Sequence, residues 1–570
     1  MQTHTGKLSV REKIGYSLGD ASANFVFMTM ILFQSKFYTD TFGLEASIAG
    51  TLLLVGRLWD AFFDPMMGTI ADRTNTRWGK FRPWVLWTAL PWGVAMVLAY
   101  TTPNFDTAGM ILYAVSTNIL LMTLYSANNT PYSAMLGVMT GDGNERTSLS
   151  SYRFVAAMLA QLIVGGFTLV LVSKIGLEPG PVATLPYPEA TGSQTMVRVV
   201  ENNAARDTVT VKVLHSADKR MIEVEQGVTV KKSFKYSASV VGDEIHIARN
   251  DNAKGWQMTL GLWAVVCVVF FVITFLTTRE RIKPDPKQKS SPKEDFRGLL
   301  KNGPWIAMFT VTLAHFIYVA MRGGTMAYYF DYYVDKDALY VLLQNVGLGG
   351  ALAGSTEGGL GNYLLNTFGL IVDPNRTNVS SVGFSLFNMS GQFVTVIGVL
   401  CSTFLAFRFG KKAVALAGFS LSTVFLALFI LLPANAVGTT FILEYLRALS
   451  YAPTIPLLWA MFADVADYTE WKTNRRITGV IFATVLFALK AGLSLGGAIG
   501  LWLLSGFGYQ PNAVQTPDAL FGIRMTASIF PAIFLCIVIV CLGFYRISKK
   551  LNLQIQNELA ERRKAFQHES

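Results

Sequence analysis

The sequence predicts an all-α, multi-pass membrane protein with twelve transmembrane helices in two six-helix halves. A small β-rich external insert is expected between helices 5 and 6. Three observations carry this prediction. Of 570 residues, 52% are hydrophobic and only 15% charged, where soluble domains carry roughly a quarter charged residues. Twelve apolar stretches recur along the chain, each near the ~20 residues that cross a bilayer. A polar stretch at 279–303, rich in lysine and proline, divides them six and six.

The apolar stretches lie near 14–38, 46–70, 83–101, 108–137, 152–175, 257–278, 304–332, 382–407, 412–432, 438–463, 477–505 and 519–545. The organisation read from them places helices 1–5 in 1–175, an external insert in 176–255 and helix 6 in 256–278. A cytoplasmic linker follows at 279–303, then helix 7 at 304–333 and a second external insert at 334–381. Helices 8–12 fill 382–545, and 546–570 is a cytoplasmic tail. In the first insert, Thr208-Val-Thr-Val-Lys-Val213 and Glu244-Ile-His-Ile247 alternate in the manner of strands. So do Ile222-Glu-Val224 and Val228-Thr-Val230, with Gly227 and Gly242 read as turns. The Gly-rich run Gly347–Gly361 reads as a loop, with a short surface helix nearby.

Lysine and arginine orient the spans, since they accumulate in short cytoplasmic loops. Arg73, Arg77, Lys80 and Arg82 follow the second span, and Lys472, Arg475 and Arg476 follow the tenth. The alternate loops 101–107, 433–439 and 506–518 contain neither residue. Both termini are therefore expected in the cytoplasm, with the chain in the inner cell membrane. The net charge of +11 is explained by this topology, and no nucleic-acid partner is implied. Cys267, Cys401, Cys536 and Cys541 all sit in apolar runs, which excludes a disulfide framework. No obligate protein partner is evident.

Two halves joined by a cytoplasmic linker are the layout of a transporter that rocks about a midplane site. Composition alone equally admits a receptor, a channel or a membrane-embedded enzyme. The enzyme class lacks a motif: no His-Glu-x-x-His, Gly-x-Ser-x-Gly or phosphate-binding loop occurs. No cofactor is implied.

Ionisable groups within spans mark function, because a charge at the bilayer centre costs at least about 2.5 kcal/mol. Asp20, Arg57, Asp60, Asp64, Arg153, His315, Arg322, Glu444, Arg447 and Lys490 qualify. Asp60 and Asp64 share a helix face at i and i+4. Two carboxylates ~6 Å apart repel by roughly 3 kcal/mol at an effective dielectric near 20. Something positive must therefore join them: a proton, a sodium ion or Arg57. An Arg57–Asp60 bridge that only locks helices is the structural alternative. Asp20, Arg153 and Lys490 suit a polyhydroxylated ligand, because charged groups each engage two hydroxyls; a structural Asp20–Lys490 pair is the alternative. Arg322 is suited to a substrate carboxylate, or to snorkelling at the outer end. His315 reads as a packing residue, and Glu444 with Arg447 as a helix-stabilising pair.

The connection Gly68-Thr-Ile-Ala-Asp72-Arg73 resembles the cytoplasmic signature of the major facilitator superfamily. With Arg77-Trp-Gly-Lys80 and Arg82-Pro-Trp84 it is similar to the melibiose permease-like glycoside–pentoside–hexuronide:cation symporters. Gly15-Tyr-Ser-Leu-Gly-Asp20, Phe37-Tyr-Thr-Asp40, Asn129-Thr-Pro-Tyr132 and Asp464-Val-Ala-Asp467-Tyr-Thr-Glu-Trp-Lys472 extend the resemblance over both halves. It implies the major facilitator fold and alternating access, with sugar and cation moving together. On the matching positions it implies a cation site of Asp60, Asp64 and Ser126. It implies that Asp20, Arg153 and Lys490 hold the sugar or lie between sugar and cation, and that Asn129 falls at a sugar position, with Ser133 close after it. Asn24 and Arg322, read from the residues themselves, complete the expected substrate site, Arg322 for an acidic substrate. Ser133 stands where melibiose permease has a stacking Trp, and Asn129 where it has an acid. Phe63 replaces an Asn of the sodium-using members, so proton is favoured over sodium as coupling ion; sodium at Asp60 and Asp64 is the one metal role foreseen. Asp72, Arg73, Arg77 and Lys80 are expected to face Asp464 and Asp467 as inner-gate charge pairs. The substrate expected is a glycoside, oligosaccharide or uronide. The alternatives are a lipid-like substrate carried by the same superfamily, and a membrane-anchored glycan sensor whose insert does the binding.

Overall fold

The structure is a computed structural model. It describes residues 8–140, 143–176, 194–203, 208–217, 220–231, 244–248, 252–281, 302–349, 365–372, 376, 378–473 and 478–569. The first half comprises α1 (Val10–Leu32), α2 (Ala46–Arg73), α3 (Arg82–Ala99), α4 (Thr107–Met139), α5 (Gly143–Gly176) and α6 (Asn252–Thr277). The second comprises α7 (Gly303–Tyr328), a short α8 (Lys336–Asn345), α9 (Val379–Phe409), α10 (Lys411–Leu428), α11 (Val437–Tyr451), α12 (Thr454–Thr473), α13 (Thr478–Gly506), α14 (Pro517–Ala527) and α15 (Ile529–Phe544). A polar helix α16 (Lys549–Glu569) follows.

Among the described residues, ten helical spans are long and apolar enough to cross a membrane, from Ala46–Ala71 to Pro517–Phe544. Helices α1 and α3 fall on the two remaining predicted stretches. Asp20 and its Ser, Gly and Asn neighbours dilute the apolar content of α1, and Arg82 with two prolines that of α3. Large apolar side chains stay exposed on the bundle surface, among them Phe62, Leu112, Leu276, Leu400 and Phe407. Such a surface suits lipid rather than water.

Local chemistry sets the helix ends. Asp106, Asn302 and Thr516 accept hydrogen bonds from the backbone N–H of Gly109, Trp305 and Ala519, capping α4, α7 and α14. The tenth predicted stretch is two helices rather than one. The break falls at Ala452 and Pro453, where proline cannot donate to the preceding turn. Ser528 likewise separates α14 from α15, three residues before Pro531. Both α1 and α7 end in wide π-turns, Phe37–Thr41 and Tyr329–Tyr333.

The two halves meet where α1 packs on α7, α2 on α13 and α5 on α9. Within the second half, α13 lies against α7 through Gly492 and Gly496, four residues apart. A Cβ at Gly496 would stand 2.4 Å from the Ile317 carbonyl oxygen. Small residues at this spacing let helix backbones touch. Gly496→Leu is therefore expected to lower the midpoint of thermal unfolding, at a cost of about 1–3 kcal/mol for overpacking; an unchanged melting curve would show that the crossing tolerates a side chain.

Four strands form an antiparallel sheet: β1 (Gln194–Asn203), β2 (Thr208–Ala217), β3 (Arg220–Lys231) and β4 (Glu244–Ala248), in the order β3-β2-β1-β4. Gly227 is not a turn. It lies within β3 opposite Lys212, beside a register shift between Lys212 and Leu214, where a missing side chain eases a bulge. Gly242 lies outside the described residues, as do most of Gly347–Gly361 and the linker from 282 to 301.

Candidate functional site

Asp60 and Asp64 lie one turn apart on α2, just before Pro65. The group that neutralises them is Lys490 of α13, in the other half. Its ammonium stands 2.9 Å from Asp60 Oδ2 and also pairs with Asp64 Oδ2. Ser126 of α4 donates to Asp60 Oδ1, and Thr130, one turn on, donates to Asp64 Oδ1 at 3.2 Å. Asp60 is almost fully buried at 1% exposure, whereas Asp64 is one-quarter exposed. Lys490 thus pairs with the two acids and not with Asp20, which removes the Asp20–Lys490 pair and sets the lysine beside the expected cation residues. Arg57 is buried near Asp60 but forms no ion pair with it among the described residues, which removes the Arg57–Asp60 lock.

Asp20 pairs instead with Arg153 at 2.8 Å. The guanidinium lies over the rings of Tyr16 and Tyr132, 5.5 and 5.1 Å from their centroids, and these rings stack on each other. Asn24, one turn after Asp20, accepts from Gln161 at 3.1 Å. Asn129 donates to the Tyr125 hydroxyl at 3.5 Å, and Ser133 is exposed. The structure therefore joins Asp20, Asn24 and Arg153, and leaves Ser133 apart from them.

Arg322 does not snorkel. It is 7% exposed and pairs with Glu444 at 2.5 Å. Glu444 also holds Arg447 through two hydrogen bonds of 2.5 and 2.8 Å, so the helix pair read from sequence extends to a third member on α7. Arg447 donates to the Tyr318 hydroxyl at 2.5 Å, and the Tyr451 hydroxyl meets His315 Nε2 at 3.1 Å. These residues form the second-half wall of a cavity of about 320 Å³ between the halves. Gln161, Phe154, Phe27 and Met28 form part of the facing wall.

A second cluster that joins the halves was missed by sequence reasoning. Lys36, just beyond α1, pairs with Asp40 at 2.8 Å and with Asp331 across the halves. Tyr509 and Tyr332 donate to Asp40, at 2.5 and 3.3 Å, and Asn512 donates to its carbonyl at 2.6 Å. Ser173 and Ser381, also from opposite halves, meet at 2.9 Å. Lys36 and Asp331 both fall inside predicted spans, so the rule for intramembrane charge would have found them.

Toward the connection after α2, the ion pairs Glu12–Arg281 and Lys411–Asp464 each join residues of one half. Asp464 takes Lys411 at 2.7 Å and Asn552 at 3.1 Å, not the connection after α2 as expected. Arg73 and Arg77 are exposed, with Arg77 over the Trp78 ring, and the backbone N–H of Lys80 donates to Glu280. The side chain of Asp72 lies outside the described residues, and Asp467 makes interactions of its own. Beyond α6, Arg281 forms a two-point pair with Glu12 at 2.7 and 2.9 Å, and these hydrogen bonds raise its pKa above the ordinary arginine value.

Comparison with known proteins agrees with the fold and the motifs. The family model described as "MFS/sugar transport protein" matches residues 15–357 and 375–549. The Putative glycoside/cation symporter YagG of Escherichia coli (strain K12) is 29% identical, over 98% of this chain and 96% of its own length. The Glucuronide carrier protein homolog of the same organism is 26% identical, over 98% of both chains. The crystal structure of nucleoside transporter NupG superposes with a TM-score of 0.51 at 10% identity, covering 95% of this chain and 100% of that one; this likeness speaks for the fold alone. The chain belongs to the MFS/sugar transport protein family, within the glycoside–pentoside–hexuronide-type symporters of the major facilitator superfamily, and is a membrane transporter rather than an enzyme.

Proposed function

We propose that this protein is a proton-coupled sugar symporter of the inner membrane. In this reading the chain crosses twelve times, both termini are cytoplasmic, the sheet-forming insert is external, and the Lys36 cluster is the closed outer gate. The observation that carries the reading is the ion pair between Lys490 and the Asp60/Asp64 carboxylates, because it links the cation site of one half to a helix of the other. Relatives named for glycoside/cation symport and for glucuronide carriage support the substrate class.

The chemistry follows from charge. Lys490 supplies one positive charge to two carboxylates, so the three groups together carry −1 when both acids are ionised. A proton from outside brings the set to neutrality, and a neutral set is cheaper to keep out of water. Protonation at the more exposed Asp64 weakens its hold on Lys490 and frees α13 to move against α2. Arg153, held by Asp20, offers donors to sugar hydroxyls, and Asp20, Asn24 and Gln161 add acceptors. Because cation and sugar favour the same arrangement of halves, each raises the affinity of the other. The polar groups on both cavity walls suit a sugar better than a lipid-like substrate.

Uptake into membrane vesicles tests the ion. Accumulation is expected to collapse when a protonophore is added and to be indifferent to replacing sodium by potassium. Accumulation that follows sodium and survives the protonophore would overturn proton coupling.

A further inference from the structure

The second-half wall of the cavity carries a charge that a neutral sugar does not need. Arg322 and Arg447 share the single carboxylate of Glu444, and His315, Tyr318 and Tyr451 are the other titratable groups that line the cavity. With those three uncharged, two guanidiniums and one carboxylate leave this wall at +1. The two arginines are not equivalent. Arg447 spends its donors on Glu444 and Tyr318. Arg322 makes one hydrogen bond, through Nη2 to Glu444, and its Nε–H is buried with no partner among the described residues. Its ring neighbour Phe429, 5.4 Å from the guanidinium carbon, supplies no acceptor oxygen. His315 Nδ1 is likewise buried and unpartnered. A buried guanidinium with donors to spare, on a cavity wall of net positive charge, is matched by an anion with paired oxygens.

We propose that Arg322, backed by Glu444 and Arg447, is a carboxylate-reading subsite, so that the transported sugar carries an acid group. The inference rests on the symporter reading and specifies the class of its substrate. Glu444 acts as a positioning residue: it holds both arginines in place and, through its one hydrogen bond to Arg322, leaves the other donors of that guanidinium for the ligand. The sugar ring then extends toward Gln161 on the facing wall, whose amide donates to Asn24 behind it. At about 320 Å³ the cavity lies near the lower end of the roughly 300–1,000 Å³ of small-molecule sites, which favours one or two sugar rings over a long oligosaccharide.

The test compares methyl glucuronide with its uncharged amide, methyl glucuronamide, and with methyl glucoside, using calorimetric binding to the purified full-length protein. The acid is expected to bind about ten- to a hundredfold tighter than the amide, as befits a hydrogen-bonded charge pair. Arg322→Gln should bring that ratio toward one, and Arg322→Lys should restore part of it. A wild-type ratio of one or below overturns the proposal whatever the variants do, as does a folded Arg322→Gln protein that keeps the full ratio. Cation-coupled uptake of the neutral glucoside without preference for the acid would defeat this inference and leave the symporter reading intact. Absence of coupled uptake for every sugar, charged or neutral, would defeat both.

Discussion

Asp60→Asn is expected to abolish concentrative uptake, bringing the steady-state ratio of sugar inside to outside to about one. The residue is 1% exposed, and its two oxygens are divided between Ser126 and Lys490. An amide removes one of the two charges that hold the lysine. Lys490 then has Asp64 as its single carboxylate, and that pair is already neutral, so the set no longer needs a proton to reach neutrality and the two halves can move without one. The coupling free energy lost is about 1–3 kcal/mol, a factor of roughly 5–150 between the affinities with and without the second ligand. Sugar counterflow should continue, because it requires alternating access but no net coupling. The measurement is radiolabelled sugar accumulation alongside counterflow in the same vesicles. Accumulation equal to wild type would remove Asp60 from the coupling site.

The second large effect is expected at the outer gate. Lys36→Met leaves Asp40 and Asp331 facing each other across the halves without the cation that joins them. Removing one partner of a buried pair costs several kcal/mol; about 3 is the low end. That value suits this site because Tyr332 and Tyr509 still donate to Asp40. The equilibrium between outer-closed and outer-open states should then move about a hundredfold toward open. A cysteine placed at Asn388, which lines the cavity, reports the change: a membrane-impermeant maleimide added outside should label it much faster in the Lys36→Met protein. Equal labelling rates would mean that the clasp does not hold the gate.

Much of the fold was legible because a bilayer leaves few choices. Apolar length gives the spans, but not the breaks at Ala452–Pro453 and Ser528 inside two of them, nor the glycines where α13 meets α7. The individual acids and bases were legible for the same reason, since lipid makes each of them costly. Their pairings were not. Lys490 is more than four hundred residues from Asp60 and Asp64 in sequence, and nothing local distinguishes those partners from Asp20. Arg322 and Glu444 meet only because α7 and α11 line one cavity. Gly227 misled because glycine serves both a turn and a bulge, and only strand partners decide between them. Asp464 was assigned across the halves on the expectation of a closed inner gate, whereas its ion pair is with Lys411 of the same half.

One lysine in the outer clasp serves two acids, and they do not separate together. Lys36 and Asp40 belong to the same helix end, four residues apart, so they remain a pair whatever the halves do. Asp331 belongs to the other half. Opening therefore leaves a neutral rim on the first half and a bare carboxylate on the second; the sum stays at −1, but Asp331 is without its counter-ion only while the mouth is open. A cation approaching from outside is drawn in at that moment and an acidic sugar is held off until the charge is met. The order of arrival, cation before sugar, would then be written into the entrance itself.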